Sequence, residues 1–148
     1  MKVKIEIDPE AEGYEVTIKC SGVDETVAGI QKALSEYSGS GTQISFYKDD
    51  AEFFLQLEDI LFFETDGGLI RAHTADEEFE AKYKLYELEE KLPSYFMRIS
   101  KSTILNTRKV YSITKNLAGA SKIEFRDTFK IVYCSRNYYK ALKDNLMP

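Results

Sequence analysis

The chain has no tryptophan, one histidine, two cysteines and three prolines in 148 residues. Its one histidine, His73, has no cysteine or serine close to it in sequence, so it reads as a strand residue rather than as a base or ligand. Cys20 and Cys134 stand far apart, with no CxxC or Cys/His spacing, so neither a metal site nor a cofactor is expected. Both lie in apolar, strand-like contexts and are expected to be buried reduced thiols. Long apolar runs are also missing. The longest block, Ile60 to Phe63, has the length of a strand core and falls far short of a bilayer span. The first residues, Met1 to Ile7, alternate apolar and charged side chains, whereas a signal peptide needs a continuous apolar stretch. A soluble, unexported, cytoplasmic protein is therefore expected. Carboxylates cluster at Asp49-Asp50, Glu58-Asp59 and Asp76-Glu77-Glu78, all turn positions where solvation explains them. No nucleophile, base or metal constellation accompanies them, so neither an enzyme nor a small-molecule substrate is expected.

What the chain does have is apolar content, 43% with 13% aromatic, enough for one buried core. It also has a charge asymmetry that the net value of −5 hides. Residues 1–94 carry 9 Lys/Arg against 22 Asp/Glu, whereas residues 95–148 carry 11 against 3. A basic C-terminal end points to a polyanion-binding face, and an acidic body limits indiscriminate sticking. The plainer alternative is that the two halves neutralise each other.

Hydrophobic periodicity divides the chain in two. Residues 2–7 and 14–20 alternate and read as strands joined around Pro9 and Gly13. Ser21-Gly22-Val23-Asp24 matches a capping box that opens an amphipathic helix with the stripe Val23, Val27, Ile30, Leu34 and Tyr37. Ser38-Gly39-Ser40-Gly41 has linker composition and marks a boundary, leaving residues 1–41 as a β-β-α extension to a second domain, 42–148. From there, short strands follow closely at 44–47, 52–57, 60–64, 69–74 and 79–83. A short helix through Leu85, Leu88 and Leu92 ends at Pro93. Further strands are expected at 102–106, 110–114, 122–126 and 129–134, and Ser135 can cap a last short helix. Lys48 to Ala51, Asp66-Gly67-Gly68 and Arg126-Asp127-Thr128 supply turns. The fold class is mainly β, α+β overall. Helices this few and short leave no helix-turn-helix, so any nucleic-acid contact must come from loops or strand ends.

The order and spacing of several blocks resemble the LytTR DNA-binding domain. They are Glu58 to Glu64, Arg71-Ala72-His73-Thr74, Tyr83 to Glu89, Phe96 to Ser102, Ile104-Leu105-Asn106 and Val132 to Tyr138. The N-terminal segment is similar to that of short, stand-alone bacterial regulators of this type, which carry no receiver domain. The resemblance implies an elongated antiparallel β domain whose loops, at one edge of the sheets, enter successive major grooves. It also implies roles for particular residues. In the loop before the Ser102 strand, Lys101 stands where the family contacts DNA, and the Ser102 hydroxyl follows as a phosphate donor. In Ser135-Arg136-Asn137, Arg136 matches the principal DNA-contacting arginine, a residue type able to bridge guanine O6 and N7. Asp66-Gly67-Gly68 departs from the pattern, because some members place a polar side chain there for a base contact.

Each nomination has a plainer rival. Arg136 either reads a base or pairs with a carboxylate such as Asp144, and Lys101 is either a DNA contact or a solvated loop lysine. Arg98 either reaches a phosphate or pairs with helix carboxylates. Lys140, with Lys115, Asn116, Lys122 and Lys143, is a generic phosphate candidate. Asn106 matches the family pattern but reads as structural, bonding the backbone of the next turn. The function expected is sequence-specific binding of double-stranded DNA at promoters, with homodimerisation through residues 1–41; the resemblance to stand-alone regulators further implies a co-encoded membrane protein as a partner. The alternatives are a protein-interaction module and a non-enzymatic RNA-binding domain, the latter disfavoured because alternation turns most strand aromatics toward the core.

Overall fold

A computed structural model describes residues 1–37 and 44–147, except the side chain of Ser35. The linker sequence around Gly39 to Gly41 thus lies outside the described residues. The chain forms two units, Met1–Gly39 and Ser40–Pro148.

The first unit contains, among its described residues, one helix, α1 (Glu25–Tyr37), and no strand. The strands expected at 2–7 and 14–20 do not form. Val3, Ile5, Ile7, Tyr14 and Val16 are all exposed, so the alternation has no core to face, and an isolated two-stranded ribbon is marginal in water. Only the turn survives, closed by the Ala11 amide donating to the Asp8 carbonyl at 3.1 Å. Cys20, expected to be buried, is exposed for the same reason. The helix cap also differs from expectation. Asp24, not Ser21, caps α1, its Oδ1 accepting the Val27 amide at 3.0 Å.

The second unit holds two antiparallel sheets. The larger runs in the order β2 (Ala51–Phe53), β1 (Phe46–Lys48), β5 (Glu78–Ala81), β4 (Leu69–His73), β3 (Phe62–Asp66), β7 (Thr103–Asn106), β6 (Phe96–Arg98). The smaller is β10 (Ile131–Cys134), β9 (Ser121–Phe125), β8 (Val110–Thr114). Two helices, α2 (Leu85–Lys91) and α3 (Arg136–Leu146), complete it. The β1–β2 turn places Asp49 and Asp50 at φ 50° and 64°, and the β3–β4 turn places Gly67 and Gly68 at φ 57° and 85°. Two left-handed residues in a two-residue loop match the right-handed strand twist, which is why these turn sequences were legible.

Alternation along the central strands feeds two cores. Phe63 and Ile104 point to one face of the large sheet, where Phe46, Phe79, Leu85 and Leu88 complete a cluster with α2. Phe62 and Leu105 point to the other, meeting Ile123, Phe125 and Val132 of the small sheet and Leu142 of α3. Phe62 and Phe125 stack at 5.7 Å across the two sheets. The large sheet is therefore buried on both faces along β3 and β7, which fixes the loops at their ends. Strand β6 was not expected from sequence. It is three residues long and is defined by its pairing with β7, Phe96 opposite Asn106 and Arg98 opposite Ile104.

Candidate nucleic-acid interface

The loop from Ile99 to Ser102 joins β6 to β7. Arg98, the last residue of β6, holds it from below. Its Nε donates to the Ser100 carbonyl at 2.8 Å, its Nη2 to the Lys101 carbonyl, and its Nη1 to the Glu89 carboxylate of α2 at 2.9 Å. Of the two readings of Arg98, pairing with a helix carboxylate is the one formed, and three guanidinium donors are committed within the protein. The Ser100 hydroxyl accepts the Ser102 amide at 3.2 Å and lies 3.3 Å from the Ser102 hydroxyl. Lys101 and Ser102 are exposed, and the Lys101 ammonium has no partner among the described residues.

Two backbone hydrogen bonds tie this loop to its neighbours. The Thr65 amide of β3 donates to the Ser102 carbonyl at 2.9 Å, beside the Asp66-Gly67-Gly68 hairpin. The Ser135 amide, where β10 passes into α3, donates to the Ile99 carbonyl at 2.9 Å. Ile99 itself is fully buried in the second core. Residues 65–68, 99–102 and 135–137 are thereby gathered at one edge of the unit.

Helix α3 opens there. Arg136 and Asn137 occupy its first turn and are exposed, as is Lys140, four residues on and so on the same face as Arg136. Ser135 occupies the cap position, half-buried, but its hydroxyl makes no capping bond; its carbonyl accepts the Tyr138 and Tyr139 amides. No acidic residue sits in this first turn, so the partial positive charge of the helix start adds to that of Arg136. The Arg136 side chain has no partner among the described residues, and the alternative pairing with Asp144 is not formed. Eight positions separate the two along α3, about 12 Å of helix axis. Lys115 and Lys143 lie against the Tyr139 ring at 5.1 and 6.0 Å, extending the positive surface. Lys122 is elsewhere occupied. It pairs with Glu124 at 3.4 Å, and that carboxyl is held low by the Ser112 hydroxyl and then by Lys122.

Other singled-out residues serve the fold. Asn106 is buried. Its Nδ2 donates to the Ile60 carbonyl at 3.0 Å and its Oδ1 accepts the Arg108 amide at 3.0 Å, the turn-bonding role expected of it. Asp66 approaches Arg71 at 4.0 Å. His73 is buried, stacked on Phe62 at 4.3 Å, with Nε2 2.8 Å from Glu64 Oε1 and Nδ1 3.2 Å from Lys130 Nζ. An ammonium can only donate, so Nδ1 must present its lone pair and the ring proton sits on Nε2. Burial, then the Lys130 charge, lowers the His73 pKa, against the opposing pull of Glu64. Cys134 is fully buried, and burial pushes its thiol up to about 11, so it is inert.

The bonds from Arg98 to the Ser100 and Lys101 carbonyls were not foreseen, nor, beyond Lys115 and Asn116 as phosphate candidates, was the placing of the segment from Lys115 to Ala120 beside Arg136. The sequence signal for the second was an apolar residue, Leu117, inside an otherwise turn-like Asn-Leu-Ala-Gly stretch.

A family model described as the LytTr DNA-binding domain matches residues 50–147. Two proteins of Staphylococcus aureus, from strains NCTC 8325 / PS 47 and N315, are each 30% identical over 147 residues, covering 99% of this chain and 98% of their own. Both are described as uncharacterized HTH-type transcriptional regulators. The described residues of this chain form no helix-turn-helix, since no two helices are consecutive. A solved LytTr DNA-binding domain from Bacillus cereus superposes with a TM-score of 0.66 at 18% identity, over 73% of this chain and all of that one.

Proposed function

The chain belongs to the LytTr DNA-binding domain family and is a DNA-binding transcription regulator, and from that premise we propose that it reads the major groove through the sheet edge whose loops carry Lys101 and Arg136. The observation that carries this reading is the 2.9 Å bond from Ser135 to Ile99, which joins two loops bearing unpaired cations. In this reading Arg136 donates two hydrogen bonds to a guanine edge. Asn137 and the Ser135 and Ser102 hydroxyls bond nearby backbone oxygens, and Lys101 and Lys140 neutralise phosphates. Arg98 acts as a positioning residue, since its fork already spans Glu89 and two loop carbonyls. This reading needs no catalytic step and no cofactor.

The regulator acts in the bacterial cytoplasm in this reading; among the described residues no helix is long and apolar enough to cross a membrane. It works as a homodimer through residues 1–41, and a co-encoded membrane protein is its further partner. Supporting the dimer, a helix of 13 residues is marginal alone, and Val23, Leu34 and Tyr37 of the apolar stripe are exposed.

Titration with duplex and single-stranded DNA tests the function. Several phosphate contacts release counterions, so duplex affinity should fall steeply between about 50 and about 200 mM salt. A flat salt response, or equal affinity for single strands, would overturn the reading.

A further inference from the structure

We propose that Leu117 is a specificity residue, reading the C5-methyl group of a thymine next to the base contacted by Arg136. This rests on the DNA-binding reading above. The loop between β8 and β9 is braced by its own polar groups. The Asn116 amide donates to the Ser121 hydroxyl at 3.2 Å, and the Asn116 Oδ1 accepts the Ala118 amide at 3.0 Å. None of this bracing uses the Leu117 side chain, which is left 83% exposed at the loop tip. A single exposed leucine is unremarkable by itself. This one lies on a braced loop and lines, with Lys115, Asn116, Gly119 and Tyr139, the same shallow hollow as Arg136.

That shared hollow gives the leucine a chemical partner. Arg136 is unpaired at the start of α3, and Lys115 rests on Tyr139 at the hollow's side, so the surroundings attract phosphate while Leu117 repels water. Among groups on major-groove base edges, the thymine methyl is the apolar one. A base edge within reach of Arg136 therefore brings the neighbouring base pair against Leu117. Arginine and leucine together would select a guanine–thymine step rather than a lone guanine.

The full chain is used to enrich duplexes from a randomised pool, and each thymine of the enriched sequence is then replaced singly by uracil, which removes only the methyl. At one thymine beside the guanine whose contribution disappears in Arg136→Ala, uracil should weaken wild-type binding about fourfold, the worth of one buried methyl-sized group. Leu117→Ala should weaken binding to the thymine duplex by a similar factor and show no further loss with uracil. If Leu117→Ala keeps wild-type affinity, or loses equally while retaining its uracil penalty, the assignment is wrong although the DNA-binding reading stands. If no sequence is enriched, the DNA-binding reading falls, and this one with it.

Discussion

The Ser135 amide and the Ile99 carbonyl meet at 2.9 Å although 36 residues separate them in the chain. Ile99 is buried in the second core and Ser135 follows the buried Cys134, so both ends of the bond stand on packed elements. The bond fixes Arg136 relative to Lys101 without either side chain spending a polar group on the other. Two cations are thus carried on joined loops at one edge, with neither side chain engaged by the described residues, as the proposed DNA contact requires.

Arg136→Ala should remove base discrimination and leave the fold intact, because the side chain is exposed and unpaired. The loss on the preferred duplex is expected at about 1–3 kcal/mol, the value of one bidentate base contact. Lys101→Ala should instead weaken preferred and random duplexes by similar factors, with a shallower salt dependence. Competition binding with both duplexes separates the two. An Arg136→Ala variant that keeps full discrimination contradicts the assignment.

Arg98→Ala should loosen the loop that Arg98 holds. Its guanidinium is mostly shielded while its partner Glu89 is half exposed, so the stability loss is set at about 1–2 kcal/mol after allowing for solvent screening. Amide exchange at residues 99–102 of the free protein should accelerate, and Arg98→Lys should recover little, since an ammonium lacks the fork. Weakened DNA binding with an unchanged loop would make Arg98 a direct phosphate contact instead.

How far the sequence reached follows from what each element relies on. Strands β3 and β7 are buried on both faces, and their apolar runs and the Gly67-Gly68 turn are local signals that tertiary packing reinforces. The alternation at residues 2–7 is the same kind of signal with no partner strand, and no strand forms there. Strand β6 was hidden for the opposite reason. Three residues carry too little pattern, and its existence depends on β7. At the candidate interface, the residue types Arg136 and Lys101 and the placing of their loops at one sheet edge were legible through the resemblance, but the bond that joins the two loops was not, because a backbone contact across 36 residues leaves no trace in composition. Arg98 shows the same limit. Its partner Glu89 lies nine residues away on a different element, and either reading of the arginine fits the sequence equally well.

The buried His73 predicts a pH dependence of stability. Its folded pKa is lowered, chiefly by burial and then by Lys130, so between that value and the unfolded one near 6.5 the unfolded chain binds more protons. Stability from this group is therefore complete above about pH 6.5 and declines as pH falls through the window. Protonation would also put a second proton on the ring, at Nδ1, against the Lys130 ammonium 3.2 Å away. Urea midpoints taken from about pH 7.5 down to about pH 5 should drop more steeply for the wild type than for His73→Gln. Parallel curves would show that the histidine does not carry the effect.

The last prediction concerns residues 1–41. Helix α1 has a well-defined cap at Asp24, yet 13 residues seldom hold a helix in water without an apolar face to dock on. Val23, Val27, Ile30, Leu34 and Tyr37 form that face, and three of the five are exposed. A second copy of the helix, packed in a two-fold arrangement, would bury the stripe on both chains at once and pair two DNA-reading edges. Paired edges suit two half-sites about one helical turn of DNA apart, which would make operator binding depend on protein concentration in a way a monomer does not. Sedimentation of the full chain at tens of micromolar should therefore show a dimer, and a chain starting at Gly41 should run as a monomer. Leu34→Asp, on the stripe and far in sequence from the basic loops, should shift the full chain to monomer while leaving half-site binding nearly unchanged. A full chain that sediments as a monomer, or a Leu34→Asp variant that remains dimeric, rules out this interface.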